Sequence, residues 1–141
     1  MNGAANPGDK ERVIEALLVE DDDIDAQVLT SFAGMNGACE VHITRARTVR
    51  EAGELARSAR YDLYFVDLHL GEASSLGLLA RLEDSGARPV VLSNASALEV
   101  EQYRLNSGSL RFLPKSECSP ARIGALVQEA LDARRAAARD M

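Results

Sequence analysis

Along the chain, short apolar runs alternate with stretches whose apolar residues fall at helical spacing. Val13 to Val19 (VIEALLV) is mixed at first and continuous at its end, which predicts a buried strand. Ile24, Val28 and Phe32 follow at helical spacing, with Asp22 or Asp23 as N-cap and Gly34 near the stop. Val41 and Ile43 mark a second strand. Thr48 then caps a helix whose inner stripe is expected to be Val49, Ala52, Ala56 and Ala59. Leu63 to Val66 (LYFV) is a third, wholly apolar strand. Leu76, Leu79 and Ala80, then Leu82 or Glu83, trace the next helix, which Gly86 breaks. Pro89 fits only at the entry of a strand over Val90 to Leu92. Ala97 to about Asn106 predicts a weaker helix anchored by Val100 and Tyr103, and Arg111 to Leu113 a fifth strand. Ser119-Pro120 reads as an N-cap with proline at the first helical position. Ile123, Val127, Ala130 and Leu131 give the last helix its buried face, and Ala133 to Arg139 prolongs it into solvent.

Five strands alternating with five helices predict an α/β domain: a doubly wound, five-stranded parallel sheet covered on both faces. Residues 1–11, rich in Gly, Asn and Ala, are expected to be a disordered lead-in to one domain over residues 12–141. In such sheets ligands bind beyond the carboxyl ends of the strands, so any chemistry belongs to the residues just after them.

Composition narrows the choice. The 141 residues carry a formal charge of -6 from 16 basic and 22 acidic side chains, the wrong sign for a nucleic-acid or anionic-membrane surface. Cys39 and Cys118 are too few for a disulfide framework, and no CxxC or Cys/His cluster points to zinc. No apolar run approaches the ~20 residues of a membrane span, and the N-terminus has no hydrophobic signal region. A cytoplasmic module with reduced cysteines is the expectation.

The strand ends carry a specific set of groups. The first ends in Glu20-Asp21-Asp22-Asp23-Ile24-Asp25, five carboxylates in six positions. Two carboxylates ~4 Å apart repel by roughly 4 kcal/mol at an effective dielectric of 20. Helix capping accounts for Asp22, Asp23 and Asp25. It does not account for Glu20 and Asp21, which leave a buried strand; a hard divalent cation does, since Mg²⁺ takes oxygen ligands from one or two carboxylates. Asp67 follows the third apolar run and emerges beside Glu20 and Asp21 if the strand order is 2-1-3-4-5; capping of the following turn is its plainer use. His69 reads as a loop residue rather than a ring ligand. Ser93 ends the fourth strand with a hydroxyl suited to an oxyanion or to a local turn bond. Lys115 follows the fifth. Lysine occurs only at Lys10 and Lys115, against fourteen arginines, and its compact ammonium enters a small anionic pocket that a planar guanidinium does not. The hydroxyl has no placed base, which excludes a Ser-His-Asp arrangement, and GxxxxGK[ST] and GxGxxG are absent. Carboxylates, a cation, a hydroxyl and an ammonium are what a transient acyl phosphate requires.

On these residues the stretch from Val13 to Leu131 resembles the receiver domain of bacterial response regulators, which implies the flavodoxin-like receiver fold. VEDD (Val19 to Asp22) matches the family's acidic motif, so Glu20 and Asp21 are implied as Mg²⁺ carboxylates. Asp67 in FVDLHL is similar to the phosphoacceptor, with the backbone oxygen of His69 at the third protein ligand position. Ser93 and Lys115 stand at the Ser/Thr and lysine positions, and Phe112 at the aromatic switch position. Side chains at His69 and Ala95 are implied to influence the lifetime of the phosphorylated state. Gly71, Ser75, Asn94 and Ser116 depart from common family residues without removing a reacting group. At Ser116 a cis peptide would cost ~3 kcal/mol without proline.

The resemblance implies that Asp67 takes a phosphoryl group from a sensor histidine kinase or histidine phosphotransfer protein, with Mg²⁺ as cofactor. Ser93 and Lys115 then move toward the new group, and Phe112 turns into the space left by Ser93; plain core packing is the alternative for Phe112. The output is expected to be docking to a downstream protein, with no nucleic-acid or membrane partner. Arg134, Arg135 and Arg139 read as a solvated helix end, and no output domain is expected in these residues. The prolonged last helix offers a surface for a homodimer. Two other readings share parts of the pattern: a phosphorylation-independent binding or dimerisation module, and a phosphatase of the haloacid-dehalogenase type. The latter wants a second Asp where this chain has His69.

Overall fold

The computed structural model describes residues 13–37, 39–70, 73–94 and 111–139. Five parallel strands form one sheet: β1 (Val13–Val19), β2 (Glu40–Ala46), β3 (Leu63–Asp67), β4 (Val90–Ser93) and β5 (Arg111–Pro114). They lie side by side in the order β2-β1-β3-β4-β5. A separate antiparallel ladder pairs His69–Leu70 with Ala73–Ser74 just after β3. Four α-helices occur among the described residues: α1 (Asp23–Gly34), α2 (Val49–Ser58), α3 (Leu76–Asp84) and α4 (Pro120–Arg139). The expected helix from Ala97 to about Asn106, the lead-in over 1–11, Gly71 and Ala95 lie outside the described residues.

Period-two alternation in the strands divides the core into two layers. Ile14, Ala16 and Leu18 of β1, with Leu63 and Phe65 of β3, face α1 and α4, where Leu29, Ile123, Val127 and Leu131 are buried. Leu17, Val19, Tyr64 and Val66 point the other way, onto Ala52 of α2 and Leu78, Leu79 and Leu82 of α3. Each fully buried Leu or Phe stabilises the fold by about 1.5–3 kcal/mol; β3 and β4 are buried at every position, whereas Glu40 and His42 of β2 are exposed.

Local chemistry sets the boundaries. Asp22 caps α1 by accepting from the Asp25 amide at 2.9 Å, and Thr48 caps α2 by accepting from Glu51 at 3.1 Å. Ser119 accepts from Arg122 at 3.1 Å, with Pro120 as the first residue of α4, as expected. Gly86 ends the turn after α3 at φ 91, a left-handed conformation that glycine adopts without steric cost.

Three helix faces differ from the expected ones. In α1 the buried stripe is Ala26, Leu29 and Ala33, with Phe32 packed partly against it; Ile24 and Val28 are exposed. In α2, Ala52 and Gly53 are buried, whereas Ala59 lies outside the helix and is exposed. In α3, Leu78 is buried and Leu76 and Ala80 face solvent. The reasons differ: in α1 small residues let the helix approach the sheet closely, so hydropathy misplaces the face; α2 ends at Ser58, before Ala59; and in α3 three leucines, Leu78, Leu79 and Leu82, take the inner face in place of Leu76 and Ala80. No cis peptide occurs among the described residues, and no described helix is long and apolar enough to cross a membrane.

Candidate phosphoryl and metal site

A parallel sheet brings all its carboxyl ends to one edge. Glu20 is the residue after β1, Asp67 the last residue of β3, Ser93 the last of β4, and Lys115 the residue after β5. Register places Val19 beside Val66, Asp67 beside Leu92, and Ser93 beside Pro114. Four separated segments therefore converge because β1 and β3 are neighbours and each chain exits the sheet there.

Lys115 is the hub. Its Nζ lies 2.7 Å from Glu20 Oε1, 2.8 Å from Asp25 Oδ2 and 2.9 Å from Asp67 Oδ2. Glu20 is 1% exposed and Asp67 6%. Burial of the Glu20 carboxyl, then the adjacent Asp67 carboxyl, push it up to about 7, with Lys115 pulling the other way. Burial disfavours the Lys115 charge, but hydrogen bonds to Asp25, Glu20 and Asp67 prevail and hold the ammonium above its ordinary range.

One carboxylate oxygen from each of Glu20, Asp21 and Asp67 lies within 4.8 Å of the others, with Asp21 exposed. With Asp25, four carboxylates gather at this edge and one ammonium meets three of them, Glu20, Asp25 and Asp67, an excess of acidic groups that a dication offsets. The donors are all oxygen and one side is open, which fits a hard ion such as Mg²⁺ that retains several waters. The His69 side chain is exposed and outside this group; its backbone N–H donates to Asp67 Oδ1 at 3.0 Å.

Other contacts position these groups. Arg45, near the end of β2, donates through Nε to the Glu20 carbonyl at 2.9 Å and through a terminal nitrogen to Asp23 at 2.8 Å. Arg47 pairs with the same carboxylate at 2.7 Å, and the Glu20 amide donates to the Ala46 carbonyl at 3.0 Å. Hydrogen bonds from Arg45, then Arg47, hold Asp23 below the usual carboxylate range. The buried Ser75 hydroxyl lies 2.7 Å from the Asp67 carbonyl and 3.0 Å from that of Leu68, tying the end of β3 to the start of α3. Ser93 is 1% exposed; Phe112 is half-buried, packed against the cluster that α2 and α3 cover.

The sequence names Glu20, Asp21, Asp67, Ser93 and Lys115, with Phe112 and the His69 backbone oxygen implied by the resemblance; it misses the bond of Asp25 to Lys115 and the brace from Arg45 and Arg47, and it marks Ser75 only as a departure, without its carbonyl partners. Asp25 is a correction: its backbone serves the cap, but its carboxylate binds Lys115. The Arg-Ala-Arg at the end of the strand beside β1 was a readable signal for the brace. Ser75 offered none beyond its place before α3.

No family model matches the chain. Over 99 residues it is 29% identical to the alginate biosynthesis transcriptional regulatory protein AlgB of Pseudomonas syringae pv. tomato, and equally to that of Pseudomonas putida. The match covers 69% of this chain and 22% of the relative, so the chain spans about a fifth of those proteins. Among solved structures, the signal receiver domain of an HD domain-containing protein from Pseudomonas fluorescens superposes with a TM-score of 0.72 at 22% identity, covering 100% of both chains. The Francisella response regulator 1452 receiver domain gives 0.69 at 24% identity, over 84% of this chain and 97% of that one. A response regulator protein from Burkholderia pseudomallei, solved with a phosphorylated aspartic acid, calcium ion and citrate, gives 0.67 at 26% identity, over 87% of this chain and 71% of its own. The chain has the fold of the response-regulator receiver domains.

Proposed function

We propose that the chain, with its receiver domain over residues 12–141, is the phosphoacceptor of a two-component or phosphorelay system. Asp67 takes a phosphoryl group from the phosphohistidine of a sensor histidine kinase or phosphotransfer protein. The N–P bond of the donor breaks as an O–P bond to an Asp67 carboxylate oxygen forms, and the electron pair of the broken bond stays on the imidazole nitrogen. Mg²⁺, held by Glu20, Asp21, Asp67 and the backbone oxygen of His69, supplies charge stabilisation for the phosphoryl oxygens when bound. Lys115 and Ser93 hold those oxygens after transfer. The new group carries about -1.5 to -2 charge, enough to draw the ammonium from its present partners and to let Phe112 repack behind Ser93. Output is through a protein partner in the cytoplasm, without nucleic-acid or membrane contact, and the long α4 offers a homodimer surface.

One observation carries this reading: a buried Asp67 carboxylate 2.9 Å from the Lys115 ammonium, beside Glu20 and Asp21, at the carboxyl edge of a parallel sheet. Incubation with a small phosphodonor and Mg²⁺, followed by mass spectrometry, tests it. The expected result is a gain of one phosphoryl group located on Asp67 and lost in Asp67→Ala. No gain in the wild type removes the phosphoacceptor reading and leaves the phosphorylation-independent module.

A further inference from the structure

An ammonium has three N–H donors, and in this structure Lys115 spends them on Glu20, Asp25 and Asp67. The three acceptors are not equivalent. Glu20 and Asp67 are buried and belong with Asp21 to the group that suits a metal ion. Asp25 stands outside that group, on the first turn of α1, with its side chain 39% exposed. It is thus the acceptor with room to leave. Its departure does not undo the helix start, because the Asp22 cap binds the Asp25 backbone amide and not its carboxylate.

We propose that Asp25 is a positioning residue: a displaceable counter-anion that parks the Lys115 ammonium beside Asp67 and is exchanged for the phosphoryl oxygens when they arrive. This rests on the phosphoacceptor reading above and adds to it a residue that opposes the anion. Before transfer, Asp25 fixes the lysine within reach of the pocket and lessens its claim on Asp67. After transfer, its carboxylate faces a second anion for the same donor, and it turns outward toward water. A unit charge next to an incoming anion in a half-exposed setting changes affinity by on the order of ten-fold.

The test titrates beryllofluoride, an anionic phosphoryl mimic, into the full chain with Mg²⁺, read by calorimetry and ¹⁹F NMR. Mg²⁺ alone is titrated in parallel. Asp25→Asn keeps the shape and removes the charge; Asp25→Glu keeps the charge; Asp25→Ser serves if circular dichroism shows the first variant unfolded. The expected result is about ten-fold tighter beryllofluoride binding in Asp25→Asn, no tightening for Mg²⁺ alone, and return toward wild type in Asp25→Glu. Beryllofluoride binding in Asp25→Asn that is equal to or weaker than wild type overturns the proposal, since a purely structural residue weakens both ligands or neither. A wild type that binds no beryllofluoride defeats the phosphoacceptor reading instead, so the two failures are distinct.

Discussion

Replacing Lys115 by methionine keeps most of the side-chain volume and deletes the charge. In the wild type the ammonium lies 2.7–2.9 Å from three carboxylates, two of them buried. Without it, Glu20 and Asp67 face each other with oxygens within 4.8 Å, a separation at which two unit charges repel by roughly 3.5 kcal/mol at an effective dielectric of 20. Breaking a buried pair by removing one partner costs about 3–5 kcal/mol in general, so the two figures agree. The protein has one escape, protonation of Glu20. Unfolded, this carboxyl gives up its proton near 4.5, while in the fold it is pushed up to about 7. The native state binds more protons between those values, and stability falls as pH rises through that window. Loss of Lys115 deepens that fall. The expected outcome in metal-free urea or thermal unfolding is a small loss, about 1 kcal/mol, at low pH and about 3 kcal/mol at pH near 8. A domain of this size carries about 5–15 kcal/mol, so the variant still folds. Mg²⁺, drawn to the same carboxylates, is expected to stabilise Lys115→Met more than wild type. Equal stability of the two proteins at pH near 8 without Mg²⁺, or a loss that does not change with pH, refutes this account of the cluster.

Two further outcomes are expected. Ser75→Ala removes the hydroxyl that meets the Asp67 and Leu68 carbonyls, and costs about 1–3 kcal/mol in urea unfolding, together with slower labelling of Asp67 by a small phosphodonor; an unchanged midpoint and rate dismiss the tie. His42 is held above its ordinary value by Glu40, then Glu15, so its contribution is full below the unfolded value of 6.5 and fades as pH rises through the folded one. Wild type is therefore expected to gain over His42→Asn in acid and to match it in base; a difference that is constant with pH excludes the pairing.

The strand ends were legible in the sequence because each apolar run stops abruptly at a residue that an apolar core would not tolerate unpaired: Glu20, Asp67, Ser93, Lys115. The order of the strands was a condition rather than a deduction: it belongs to the fold that the resemblance implies, and with β1 beside β3 it brings Asp67 next to Glu20. Helix faces were less legible. In α1 the large side chains Ile24 and Val28 outweigh Ala26 and Ala33 in any hydropathy pattern, although the small residues are the ones against the sheet. Asp25 was hidden by its own residue type, since an aspartate at a helix start already has a sufficient local explanation and its bond to Lys115 spans 90 residues. Ser75 hides for a similar reason: a buried hydroxyl is informative only once its carbonyl partners are known.

The brace behind the acidic loop ties the centre to the margin of the sheet. Arg45 and the Ala46 carbonyl come from β2 and Arg47 from the residue just after it, and among the described residues β2 pairs with β1 alone. An edge strand opens more readily than a central one, so fraying at β2 loosens the grip on Glu20 and Asp23 while β3 still holds Asp67 in place. Amide exchange along residues 40–46 then reports on how taut the carboxylates are.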